Sequence, residues 1–168
     1  MGLPITLSEI APRISAGAFI LNSGLSKRGA DAETAAGVHG FAAGTYPFLK
    51  SVPPQQFVQG LATTEIVLGA ALLTPFVPTF VAGAALTAFS SGLLGLYLRT
   101  PGMRKPGSLA PTEQGLSIAK DSWLVGIGIG LMTRGLIERR PRVTVTKANK
   151  LARKQARQAA REARRTSR

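Results

Sequence analysis

The chain has 168 residues and a formal charge of +13, and 45% of its residues are hydrophobic. This length is typical of a single domain. The complete absence of cysteine excludes disulfide scaffolds, thiolate zinc sites, iron–sulfur clusters and cysteine nucleophiles in this chain. A mean hydropathy of +0.15 is high for so basic a sequence. The charge and the apolar residues are therefore expected in different segments.

The charge is concentrated at the C-terminal end. Residues 1–137 contain nine Lys and Arg against six Asp and Glu, whereas residues 138–168 contain twelve against two. We therefore expect a nearly neutral apolar domain over 1–137 and a basic tail over 138–168. The apolar residues of the tail after Thr146 are alanines and Leu151. Either the tail is solvated and acts as a topology signal, or it binds anionic lipid or an acidic protein surface. It has no aromatic residues to stack on bases, so nucleic acid is not an expected partner.

The central segment from Ile66 to Leu98 contains no Lys, Arg, His, Asp or Glu. As one helix, its 33 residues would extend about 50 Å, too long for one crossing of a hydrocarbon core of about 30 Å. Pro75 ends a helix and Pro78 suits the first turn of the next. The pattern predicts two helices, about 54–74 and 78–98, joined by a tight hairpin.

Two shorter uncharged runs flank this pair, 14–26 and 122–133. Each is short for a membrane span but plausible within a bundle whose charged residues turn inward or extend toward the interfaces. Spans of about 10–27 and 116–137 complete the prediction of an all-α polytopic membrane protein, a four-transmembrane-helix bundle with a basic tail. A soluble, buried helical domain is the alternative. The residues expected to extend toward the interfaces are Arg13, Lys27, Lys120 and Arg134.

The remaining segments carry local signals. Asp31 or Thr34 is expected to cap a short helix that Tyr46 and Pro47 close. The proline-containing segment from Arg99 to Glu113 is expected to be irregular and exposed. Small residues along the spans predict close helix packing; they include Gly69, Ala70, Gly83, Ala84, Gly92, Gly95, Gly126, Gly128 and Gly130.

Charge predicts the orientation. Eight Lys and Arg lie between Arg139 and Arg157, close to the last span, and the two opposite loops carry three and four. Lys and Arg are retained on the cytoplasmic side. With an even number of spans, both termini are expected in the cytoplasm.

Glu65 is the foremost candidate for function. It lies 11 residues after Pro54, about 16 Å along its helix and near the middle of a membrane. An intramembrane carboxylate is costly and by default indicates function. The structural alternative is a hydrogen-bonded glutamate that fixes the helix register.

Four other polar residues are candidates, namely Lys27, Lys120, Asp121 and His39. Lys120 and Asp121 are expected to pair at the outer end of the fourth span, unless Asp121 caps the helix beside a solvated lysine. Lys120 reaches Glu65 only if the second span starts later than residue 54. His39 is the only histidine, and we expect a structural role for it. The residues form no catalytic constellation and predict no metal site or intrinsic cofactor.

The order of these features resembles the DoxX-like family of bacterial four-helix membrane proteins over about residues 12–137. The resemblance is carried by residues in three of the spans: Arg13, Gly17, Gly24 and Lys27 in the first, Glu65, Gly69, Leu72 and Leu73 in the second, and Lys120, Asp121, Ser122, Trp123 and Leu124 at the start of the fourth. It implies a location in the bacterial inner membrane and an association with redox machinery, including quinone-linked assemblies. The lack of cysteine argues against a thiol relay on this chain.

Two functions follow as hypotheses. In the first, the chain is a non-catalytic subunit or assembly partner of a membrane respiratory or redox complex and docks on other membrane subunits. In the second, it is a quinone- or proton-linked oxidoreductase or a small transporter, with Glu65 and Lys120 lining the pathway. The density of polar groups inside the bundle discriminates between them, because a relay needs more than one carboxylate.

Overall fold

The computed structural model describes residues 6–139 together with Lys154 and Ala156. Within these residues the chain is α-helical and contains no strand, only an isolated bridge between Arg104 and Pro111. The chain divides into two compact units, Met1–Gly135 and Leu136–Arg168. The predicted basic tail over 138–168 lies outside the described residues, apart from residues 138–139 at the end of α6, Lys154 and Ala156. The elements are α1 Leu7–Lys27, α2 Ala32–Thr45, a 3-10 helix Pro47–Ser51, α3 Pro54–Leu73, α4 Thr79–Arg99, α5 Glu113–Ala119 and α6 Ser122–Arg139.

The helices agree with the predicted segments over most of the bundle. α3 and α4 lie within one residue of the predicted 54–74 and 78–98, and residues 74–78 form the hairpin turn. Asp31 caps α2, since its carboxylate accepts a hydrogen bond of 2.8 Å from the Thr34 N–H. Residues 100–112 contain no helix and turn at Gly102 and Gly107, which have positive φ angles. The irregular loop was therefore predicted correctly.

The prediction of one continuous helix over 116–137 was wrong. α5 ends at Ala119 and α6 begins at Ser122. Between them the backbone bonds shorten to the i→i−3 type, as from the Trp123 N–H to the Lys120 carbonyl at 3.0 Å. The two helices have separate attachments: α5 is tied to the preceding loop at Met103, whose carbonyl accepts from the Thr112 N–H, whereas α6 packs closely on α4 at Gly128 and Gly135.

Small residues permit the close helix packing. A Cβ atom at Gly69 of α3 would lie 2.7 Å from the backbone nitrogen of Leu21 in α1, and one at Gly83 of α4 would collide with the backbone nitrogen of Met132 in α6. Gly92, Gly126 and Gly130 instead face open space, so the packing prediction was wrong for them. The buried core at the centre comprises Ala16, Ile20, Leu68, Leu72, Ala82, Leu86, Leu124 and Leu131.

Among the described helices, α3 and α4 have the length and apolar composition needed to cross a membrane. Their outer surfaces carry large exposed apolar side chains such as Val67 and Val81. The structure thus contains an all-helical domain with two helices of membrane-spanning character.

Candidate ligand pocket

A pocket of about 550 Å³ opens among α1, α2, α3, α4 and the junction between α5 and α6. Its volume is within the ordinary range for small-molecule sites, about 300–1,000 Å³. Most of its wall is apolar or aromatic. The principal wall residues are Phe19, Val38, Phe41, Tyr46, Leu49, Phe57, Leu61, Phe89, Leu93, Leu96, Ile118 and Leu124.

Four of the five polar candidates line this one pocket, namely Lys27, Glu65, Lys120 and Asp121. They come from three places in the sequence: the end of α1, the middle of α3 and the break before α6. Two carboxylates and two ammonium groups therefore share an otherwise apolar cavity. The fold creates this grouping, because no two of the three segments are adjacent in sequence.

Glu65 is buried and held by two residues of α1. Its Oε1 and Oε2 atoms lie 3.1 Å and 2.9 Å from the ammonium nitrogen of Lys27. The Ser23 hydroxyl donates a further hydrogen bond of 3.3 Å to Oε1 and accepts one of 2.6 Å from Lys27. Charge-assisted bonds of this length are the strong ones in proteins. The partner of Glu65 is thus Lys27. It is not Lys120, the residue that the sequence analysis considered as a neighbour of Glu65.

Lys120 and Asp121 occupy the tight turn between α5 and α6. Lys120 is exposed, and its ammonium nitrogen lies 5.9 Å from the centre of the Phe19 ring, within cation–π range. Asp121 is half-buried, and its backbone N–H donates to the Ile118 carbonyl at 3.0 Å. Within the described residues, the ion pairs are Lys27 with Glu65 and Glu9 with Arg134. The predicted Lys120–Asp121 ion pair is not formed among them.

His39 lies behind the pocket wall. Its Nε2 atom is 3.0 Å from the Leu49 carbonyl oxygen, and its ring meets the Phe57 ring edge-on at 5.4 Å between centroids. Leu49 and Phe57 both line the pocket. His39 therefore joins α2 to the 3-10 helix and α3 and supports the wall from outside.

A second buried polar cluster lies at the hairpin end of the bundle and was missed by sequence reasoning. Glu9 is 1% exposed, and its Oε2 atom accepts hydrogen bonds from the Thr79 hydroxyl at 3.1 Å and the Thr6 N–H at 3.0 Å. Its Oε1 atom lies 3.7 Å from Nε of Arg134. These contacts connect the start of α1 with α4 and α6.

Arg13 was expected to extend toward the interface, and this prediction was wrong. The side chain is 2% exposed. Its guanidinium donates to four backbone carbonyls around the end of α3 and to the Thr79 hydroxyl, at 2.7–3.3 Å. The last carbonyls of a helix have no intrahelical partner and carry partial negative charge. Arg13 satisfies them with all of its N–H donors, which explains its burial. The carbonyls belong to Ala71, Leu72, Thr74 and Val77.

The described residues contain no group of three His, Asp or Glu side chains placed to hold a metal ion. The pocket is instead suited to an organic molecule with an apolar body and a few hydrogen-bonding atoms. Comparison of the chain with protein-family models, with curated proteins and with solved structures gives no match.

Proposed function

We propose that the chain is a DoxX-like integral membrane protein of the bacterial cytoplasmic membrane, with α1, α3, α4 and α6 as four spans. Besides the composition of α3 and α4, the outer surface of α1 supports this placement. The charged residues of α1 are Glu9, Arg13 and Lys27, and none of them is exposed. Large apolar side chains of α1 are exposed instead, including Ile14 and Leu25. A helix of a water-soluble bundle has the opposite arrangement.

The hydroxyl groups on the helix surfaces also favour a membrane environment. Exposed Thr63, Thr64, Ser91 and Thr133 each donate a hydrogen bond to the carbonyl four residues earlier in their own helix, at 2.7–2.9 Å. Within hydrocarbon every polar group needs an internal partner. These hydroxyls therefore meet that requirement without water.

The proposed orientation has both termini in the cytoplasm, on the basis of the charge distribution. Because the chain lacks cysteine, single cysteines introduced at Ser51 and Ser108 are expected to react with an impermeant maleimide added to intact cells. A cysteine introduced at Ser167 is expected to react only after lysis. Labelling of Ser167→Cys alone in intact cells would contradict the orientation.

The proposed activity is quinone binding in a membrane redox assembly. The observation that carries it is the convergence of Lys27, Glu65, Lys120 and Asp121 in one apolar, aromatic pocket. Four polar side chains in one cavity, rather than a single carboxylate, favour a quinone or proton pathway over a purely structural bundle. A quinone has a planar ring for aromatic walls and two carbonyl oxygens that accept hydrogen bonds. When bound, it would supply reversible transfer of two electrons and two protons.

The residues of the pocket have distinct parts in this proposal. The aromatic walls hold the ring, and the ammonium group of Lys120 is the exposed donor for a carbonyl oxygen. The Lys27–Glu65 pair fixes α1 against α3 and so keeps the cavity open. His39 holds the outer wall through Leu49 and Phe57.

The test is direct measurement of bound quinone. Tagged protein would be extracted in mild detergent, incubated with decyl-ubiquinone, and the bound fraction quantified after removal of the free ligand. Leu93→Trp places a large ring in the pocket and is expected to lower affinity at least about tenfold. Val81→Trp, on the outer surface of α4, is the matched control and should bind as the unaltered protein does. Failure of the unaltered protein to bind decyl-ubiquinone would refute the proposal.

The second candidate is a non-catalytic subunit or assembly partner of a respiratory or redox complex. Gly126 and Gly130 on α6 favour it, because they are spaced by four residues and face open space. Small residues at this spacing allow another membrane helix to approach closely. Co-purification of a stoichiometric membrane subunit that is lost in Gly126→Leu, without quinone binding, would favour this function over the first.

A further inference from the structure

The two carboxylates of the pocket differ in how they are held. Both oxygens of Glu65 are engaged by Lys27, and Oε1 also accepts from Ser23. Within the described residues, no hydrogen bond or ion pair reaches the carboxylate of Asp121. A half-buried carboxylate that lines a cavity without a donor of its own is available to an incoming hydrogen-bond donor.

The surroundings of Asp121 come from three elements. Lys120 precedes it in the same turn, Lys27 faces it from α1, and Glu65 faces it from α3. Lys27 is already committed to Glu65 at 2.9 Å. The charge of Lys120 is free to move, because its side chain is exposed. A ligand can therefore bind to the Asp121 carboxylate without breaking an ion pair, which it could not do at Glu65.

We propose that Asp121 is the ligand-recognising carboxylate of the pocket and accepts a hydrogen bond from the hydroxyl of a hydroquinone-class ligand, while Glu65 is a positioning residue. This inference rests on the proposed quinone site. An ionised carboxylate only accepts hydrogen bonds, so it favours the reduced, hydroxyl-bearing ligand over the oxidised one, whose carbonyls only accept. Protonation gives Asp121 a donor and removes that preference. The selectivity of the pocket between the two redox forms thus depends on pH.

The experiment compares two forms of one ligand. Burial raises the pKa of Asp121 above its ordinary value of about 3.9. Binding of decyl-ubiquinol, kept under anaerobic conditions, and decyl-ubiquinone would therefore be measured for the full-length protein at about pH 4 and about pH 8. The preference for the quinol is expected to rise about tenfold with pH. Asp121→Asn should abolish this rise, Asp121→Glu should restore it, and Glu65→Gln should retain it.

The outcomes separate the two proposals. Binding of neither form by the unaltered protein would overturn the quinone site and this inference with it. Binding of both forms with a pH dependence that persists in Asp121→Asn would overturn the inference alone and leave the site standing. Loss of the pH dependence in Glu65→Gln but not in Asp121→Asn would assign recognition to Glu65 instead. If Asp121→Asn fails to fold, the assignment is tested with Lys120→Gln and Asp121→Glu instead. Both variants are expected to keep the pH-dependent preference for the quinol. Absence of this preference from Asp121→Glu would overturn the assignment.

Discussion

Removal of the Lys27 charge is expected to destabilise the bundle because it leaves the Glu65 carboxylate buried without its partner. The ammonium nitrogen lies 2.9 Å and 3.1 Å from the two carboxylate oxygens. The side chains of Lys27 and Glu65 are 25% and 6% exposed. Breaking a fully buried pair costs about 3–5 kcal/mol. Because the lysine keeps some contact with solvent, we expect Lys27→Met to lower the free energy of unfolding by about 3 kcal/mol, at the lower end of this range.

The double variant Lys27→Met with Glu65→Gln tests the reasoning. Replacing both charges removes the uncompensated carboxylate, so its unfolding free energy should lie within about 1 kcal/mol of the unaltered protein. Glu65→Gln alone should be tolerated better than Glu65→Leu, because the amide still accepts from Ser23.

Denaturant unfolding in detergent, followed by circular dichroism, would provide the measurement. Lys50→Met is the control, since Lys50 is exposed in the 3-10 helix. A loss below about 1 kcal/mol in Lys27→Met, or a double variant as unstable as the sum of the single ones, would refute the argument.

Three further perturbations have defined outcomes. Gly69→Ala forces a Cβ to 2.7 Å from Leu21 and should lower the free energy of unfolding in denaturant by about 1–3 kcal/mol. Gly60→Ala, with open space around it, should not lower it. Equal effects of the two substitutions would contradict the packing. Arg13→Lys loses the planar fork of donors at the end of α3 and should destabilise by about 2–3 kcal/mol; an unchanged denaturation midpoint would show that the carbonyls do not need it. The hydrogen bonds from Thr34 lower the pKa of Asp31. The stability that this N-cap contributes is therefore fully present above the unfolded pKa of about 3.9, and it is lost as pH falls through the lower folded pKa. Thermal melts should therefore show the advantage over Asp31→Ala shrinking below about pH 4, and a constant difference would contradict this assignment.

The parts of the fold that could be predicted were those determined by local chemistry. Pro75 and Pro78 define the hairpin, because proline cannot continue a preceding helix but suits the start of the next. Asp31 caps α2 because its short carboxylate reaches the N–H of Thr34. The candidate residues Glu65 and Asp121 were also recognisable, as rare acidic groups beside apolar segments.

What could not be predicted depended on contacts between distant segments. The break before α6 separates a helix attached to the loop at Met103 from one packed on α4, and nothing in the residue types at Lys120 or Asp121 stops a helix by itself. The choice of Lys27 as the partner of Glu65 required the register of α1 against α3. At Gly24 the two helices are so close that an added Cβ would lie 2.8 Å from the Ala62 carbonyl oxygen. Sequence reasoning identified the charged groups but had no means to pair them.

The arrangement of α1 explains why hydropathy underestimates its apolar character. A composition test counts Glu9, Arg13 and Lys27 against the helix regardless of the direction in which they point. In the structure each of them is turned toward the bundle and contacts carbonyls, hydroxyls or an opposite charge. The surface that remains is uncharged and exposes Ile14 and Leu25. Internal pairing of charges thus gives α1 an apolar exterior that its sequence conceals, with a polar cluster at each end of the helix, and this is the exterior that the proposed membrane location requires.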